Sequence, residues 1–179
     1  AFKSVGGFSK ISRRISGDDV LLLQLISKRT NWEVRFASEK GAYVQTLPVT
    51  SFKELINQRI RWASNASYQL KLNFPFFSLL CNTFILNSTI LAYLVVSIIN
   101  PSLILNLILP LAVKALADVG VIYRGAMLYN RLKIVRYFFA WFLIIIPYTV
   151  SMGILGVLGY FSWKSRKSRF SRVANSGRK

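Results

Sequence analysis

Ser51-Phe-Lys-Glu-Leu-Ile-Asn-Gln-Arg-Ile-Arg-Trp62 ends twelve residues before Phe74, where the first long apolar stretch of the chain begins. Ser51 with Glu54 three residues later reads as a capping box opening a helix. Phe52, Leu55, Ile56 and Ile60 then line one face, apart from Gln58 and Arg61, as in an amphipathic helix lying along a membrane surface. Gln58 precedes both Arg61 and Trp62 by one helical turn, so an amide, a guanidinium and an indole share a face.

Three apolar stretches follow. Residues 74–99 are long enough to cross a hydrocarbon layer of about 30 Å, even with tilt. Asn100-Pro101-Ser102 makes an uncharged turn, and residues 103–123 read as a return span. The loop 124–136 carries four basic residues and no acid, which assigns it to the cytoplasmic side. An even number of crossings separates that loop from the amphipathic helix, so the helix is expected on the same side. Residues 137–163 leave two readings open. A simple span sends the tail Lys164 to Lys179, with seven basic residues and no acid, across the membrane. A re-entrant hairpin broken at Pro147, with glycines at 153, 156 and 159, keeps the tail cytoplasmic.

Composition agrees with this division. The chain has 179 residues, a formal charge of +18 and 53% hydrophobic residues, with a positive mean hydropathy. That apolar content does not suit a soluble protein of such charge, and the two properties are segregated along the chain. The expected organisation is a water-facing region over residues 1–73, a membrane region over 74–163 and a basic tail over 164–179. Within the water-facing region, residues 16–26 read as a serine-capped helix with acids in its first turn. Residues 32–37 alternate as a short strand, residues 42–46 suggest a second, and Pro48 closes it.

Residue scarcity excludes several chemistries. Histidine is absent, which removes His-based zinc sites, Ser-His-Asp triads and His general bases from these residues. Cys81 is the sole cysteine, so no intrachain disulfide forms, and its apolar setting suits a small buried side chain. Any proton acceptor here comes from six acidic residues, of which only Asp18 and Asp19 are adjacent. No D-x-D pattern occurs.

Asp18-Asp19 stands about forty residues ahead of Gln58. The pair can simply complement a helix dipole, at about 0.3–1 kcal/mol each. Arg61 and Trp62 can likewise anchor a helix at headgroup depth, although an anchor has no need of Gln58. As a binding set, the trio suits a sugar nucleotide: arginine forks onto a diphosphate, indole stacks on a pyranose, and the amide hydrogen-bonds a hydroxyl. Lys114 and Asp118, one turn apart in the second span, read as an internal ion pair, with a role lining a polymer or lipid path as the minor alternative. Basic loop and tail indicate attraction to anionic lipid rather than nucleic-acid binding, for which no recognition motif is present. The sequons at Asn65 and Asn87 are discounted, one by its expected side and the other by its place inside a span.

Val5-Gly-Gly-Phe8, Ser16-Gly-Asp-Asp19, Tyr43-Val-Gln-Thr-Leu-Pro48 and Gln58-Arg-Ile-Arg-Trp62, in this order before apolar helices, resemble the C-terminal half of membrane-embedded family 2 glycosyltransferases. That group includes cellulose, hyaluronan and poly-N-acetylglucosamine synthases. The specific motifs lie in the first 62 residues; the spans add only outline similarity. The resemblance implies an α-helical membrane region preceded by the C-terminal part of a GT-A-like α/β domain. It implies an inverting transferase in a bacterial inner membrane, catalytic part cytoplasmic, moving a sugar from a UDP-sugar donor to a glycan or lipid acceptor.

Under the resemblance Asp19 is the general base, supported by Asp18, while Gln58, Arg61 and Trp62 bind substrate. Glycine and aspartate here replace the threonine and glutamate of the T-E-D form of that motif. A divalent metal, Mg or Mn, is expected on an upstream D-x-D outside this chain, whose own residues hold none. The chain begins at Ala1 without methionine or a signal-peptide pattern and is expected to be a C-terminal portion, inactive alone. The rival class is a non-catalytic membrane anchor or transporter fragment, which leaves the motif order as coincidence.

Overall fold

The structure, a computed structural model, describes residues 1–9, 11, 17–163 and 166–167. Its described residues are helical apart from irregular connections and one very short hairpin. Helix α1 is Asp18–Arg29, α2 Phe52–Ala63, α3 Ala66–Leu72, α4 Phe74–Val96, α5 Ile108–Leu128 and α6 Phe138–Leu158. Strand β1, Ser162–Trp163, pairs antiparallel with β2, Arg166–Lys167. Single 3-10 segments cover Lys3–Val5, Lys40–Ala42, Pro101–Leu107 and Leu132–Tyr137. Two compact units divide the chain: Ala1–Cys81 with Met152–Lys179, and Asn82–Ser151.

The α/β region expected ahead of the membrane helices does not form among the described residues. Residues 32–37 and 43–46 are irregular, Ala42 closes a 3-10 turn, and neither segment pairs with a strand among the described residues. Glu33 and Arg35 pair at 2.8 Å, two residues apart, the spacing that brings side chains to one side of an extended chain. What is missing is a ladder, because strand N–H and C=O groups need a neighbouring backbone. Phe36, Val44 and Leu47 accordingly stand 70%, 86% and 94% exposed.

Within the first unit, α1 packs beside α3. Gln24 Oε1 accepts from Asn73 Nδ2 at 3.0 Å, and the Lys28 ammonium donates to the Lys71 carbonyl. Val5, Ile11, Leu21, Leu25 and Ile60 are buried. Helix α2 begins where the sequence predicts, with Ser51 at its N-cap and Glu54 in the first turn, but the serine side chain makes no capping hydrogen bond. Helix α1 starts later than predicted, at Asp18 after Gly17, whose φ of 82° is left-handed and suits glycine. Its predicted serine cap, Ser16, lies outside the described residues.

The end of α6 also belongs to this unit. A Cβ placed on Gly156 would lie 2.5 Å from Ala63 Cβ and 2.9 Å from the Ala63 carbonyl carbon. Past the helix, Asn57 on α2 pairs through both side-chain amide atoms with the backbone of Ser162. Its Nδ2 donates to the Ser162 carbonyl at 2.7 Å, and the Ser162 N–H donates to Asn57 Oδ1 at 3.0 Å.

Three helical stretches are long and apolar enough to cross a membrane: Phe74–Val96, Pro101–Leu128 and Leu132–Leu158. Leu79, Leu116, Val121, Phe139 and Val157 on them are largely exposed, an arrangement suited to lipid rather than water. The hairpin break considered at Pro147 is not present. Helix α6 runs unbroken through it, because the loss of one N–H is tolerated in a helix whose other bonds are satisfied internally. In the second unit Lys114, buried, pairs with Asp118 as the sequence predicts, and its ammonium lies 5.2 Å from the Phe142 ring centroid. Asn87 is almost fully buried, so its sequon is closed to glycosylation.

Two stability outcomes follow from these contacts. Gly156→Val should lower the detergent melting temperature by a shift equivalent to about 1–3 kcal/mol, the usual cost of overpacking; an unchanged melting curve would refute the Ala63 contact. Lys114→Met alone should destabilise more than Lys114→Met with Asp118→Leu, since the single change strands a part-buried carboxylate. Equal losses in the two proteins would show that the pair is not coupled.

Candidate functional site

The residue that opens α1 meets the turn between α2 and α3 in the first unit. Asn65, three residues past Trp62, packs on Gly17: a Cβ added there would lie 2.9 Å from Asn65 Cγ, with the amide nitrogen closer still. The glycine before Asp18-Asp19 therefore serves two ends, a left-handed turn and a close approach. Sequence reading weighed Asn65 only as a sequon. The glycine was the available signal, since glycine often marks such an approach.

The predicted residues occupy different environments. Asp19 is exposed, and its Oδ1 accepts from the Val20 N–H at 2.8 Å. A carboxylate held this way at a helix start keeps its other oxygen available to water or a substrate hydroxyl. The side chain of Asp18 lies outside what is described, though its backbone opens α1. Gln58 is half-buried. Arg61 is buried at 9% exposure, so burial on α2 is not confined to the predicted apolar stripe. Conversely Phe52, predicted on that stripe, is 77% exposed. The stripe was read from spacing alone, whereas cover is decided by the elements that pack on the helix.

Trp62 is about half exposed, and the Arg59 guanidinium carbon lies 4.7 Å from its ring centroid. This cation–π contact occupies one face of the indole. Sequence reading passed over Arg59, although Arg-x-x-Trp at one-turn spacing carries the signal. Gln69, on α3, was also missed. It is 2% exposed, and its Oε1 has no hydrogen-bond partner among the described residues. Nothing in its sequence neighbourhood marks it.

Among the described residues no three His, Cys, Asp or Glu side chains gather to hold a metal ion. The described carboxylate at the site is Asp19, so these residues do not make a metal centre, and any resident metal would need donors outside them. The chain matches no protein-family model, no curated protein and no solved structure. Geometry and chemistry of the site itself therefore carry its functional reading.

Gly17→Ala tests the meeting of α1 with Asn65. It should cost about 1–2 kcal/mol for the left-handed backbone plus the clash, read as a lower melting temperature. Adding Asn65→Gly should recover the clash component only. Full recovery, or no loss at the outset, would contradict the observed approach.

Proposed function

We propose that this chain is the membrane-proximal portion of an inverting glycosyltransferase that acts at the cytoplasmic membrane face. The observation that supports the reading is the close approach of Gly17, the residue before Asp18-Asp19, to Asn65, three residues past Trp62 of the Gln58-x-x-Arg61-Trp62 helix. Residues about forty positions apart are gathered by folding into one unit, which chance occurrence of the motifs does not require.

In this mechanism the Asp19 carboxylate takes the proton of an acceptor hydroxyl. The oxygen attacks the anomeric carbon as the bond from that carbon to the nucleotide diphosphate breaks. The electron pair leaves with the diphosphate, and one in-line displacement inverts the centre. Arg61 offsets charge growing on the departing diphosphate, and its burial strengthens that effect by lowering the local dielectric. Gln58 holds a sugar hydroxyl, and the half-exposed indole of Trp62 supports the acceptor ring. The GT-A-like donor domain, with a metal-holding D-x-D and a UDP-sugar site, lies outside this chain in the proposal. Residues 32–37 and 42–46, which pair in no sheet here, are the segments that would gain strand neighbours from it. The acceptor is a glycan or lipid reached from the bacterial inner membrane.

The exposed Phe52 and the Arg59–Trp62 stack favour a second reading, in which α2 is an interfacial anchor without catalysis. Transfer assays on the protein joined to its donor-binding region separate the two. Asp19→Asn should reduce sugar transfer from a radiolabelled UDP-sugar by about 10²–10⁴-fold, the range for losing a general base. Arg61→Lys should also reduce it strongly, because the point charge lacks the guanidinium fork. Both variants should insert in membranes normally. Undiminished transfer in both would leave the anchor reading standing.

A further inference from the structure

A chain that leaves a surface helix, passes through apolar helices and returns to that same helix crosses the membrane an even number of times. Helix α2 lies just ahead of the apolar region. The end of α6 comes back to it at two places, Gly156 on Ala63 and Ser162 on Asn57. All four residues belong to one compact unit, which the chain leaves along α4 and re-enters along α6. Three complete crossings would separate Asn57 from Ser162 by about 30 Å of hydrocarbon. A two-bond amide clasp cannot reach across that distance.

We infer that the chain crosses the membrane twice, and that Asn57 clasps Ser162 so that the segment after α6 stays on the face that carries α2. This holds whether or not the protein transfers sugar. The charges choose which helix does not cross. If either α4 or α5 were that helix, the loop 124–136, with four basic residues and no acid, would lie on the far side. With α4 and α5 as the crossing pair, loop and α2 share the cytoplasmic face, in line with the positive-inside rule. Helix α6 then begins and ends on that face. Strand β2, paired with β1, also lies on that face, so basic Arg166 and Lys167 are not translocated. Asn57 is in this account a positioning residue: it ties the C-terminal end to the helix that bears Gln58, Arg61 and Trp62.

Single-cysteine accessibility in the full chain tests this, in a Cys81→Ala background. Lys53→Cys, Asn100→Cys, Arg131→Cys and Lys167→Cys are treated with a membrane-impermeant maleimide in intact cells, and after lysis to verify reactivity. Asn100→Cys alone should label before lysis. Labelling of Lys167→Cys with Asn100→Cys, while Lys53→Cys stays shielded, would overturn the inference. Labelling of Arg131→Cys with Asn100→Cys would overturn the choice of α6 as the non-crossing helix. Independently, Asn57→Cys with Ser162→Cys should be joined within one chain by a short thiol cross-linker. Failure of both thiols to join, with each reactive singly, would remove the clasp. The four reporters leave Asn57 intact, so their result stands even if that double variant folds poorly.

Discussion

Backbone polar groups in hydrocarbon have no water to bond, and that constraint shapes a little under half of this chain. Residues 74–158 answer it with long helices, their N–H and C=O groups satisfied internally. Pro147 is carried through without a break for the same reason. Where one polar pair enters such a helix, Lys114 and Asp118 stand one turn apart and neutralise each other. The same demand acts with opposite result before α2. Residues 32–37 have strand-like alternation but no ladder partner among the described residues, and remain irregular.

The first unit is organised by close approaches rather than by a large core. Gly17 admits Asn65, and Gly156 admits Ala63. Each glycine removes the Cβ that would hold two backbones apart. Together with the Asn57–Ser162 clasp they bring the start of α1, the end of α2 and the end of α6 into one unit. The candidate chemistry depends on that gathering. The carboxylate of Asp19 is exposed and the guanidinium of Arg61 is buried, two unlike environments set by the elements that pack on them.

Much of the helical architecture was legible in the residues. Stretches of about twenty predominantly apolar residues leave helix as the available form, so α4, α5 and α6 fall close to their predicted places. Helix α2 begins after Ser51 as read, and the Lys114–Asp118 pair forms as i, i+4 spacing suggests. The candidate site was legible as a set of residue types but not as an arrangement. Spacing placed Gln58, Arg61 and Trp62 on a common face. It did not say that Arg61 is buried, that Arg59 covers one side of Trp62, or that Asn65 abuts Gly17.

The sequence by itself determined the apolar helices, the amphipathic helix and the segregation of positive charge, because each follows from local composition and periodicity. Only the tertiary structure decided that strand-like segments lack a ladder and that α6 returns to α2. Pairing and return are relations between residues far apart in the chain: Asn57 and Ser162 are separated by 105 positions. No local pattern encodes such a separation, and the physical cause is complementary backbone and amide hydrogen-bonding groups that meet only after folding.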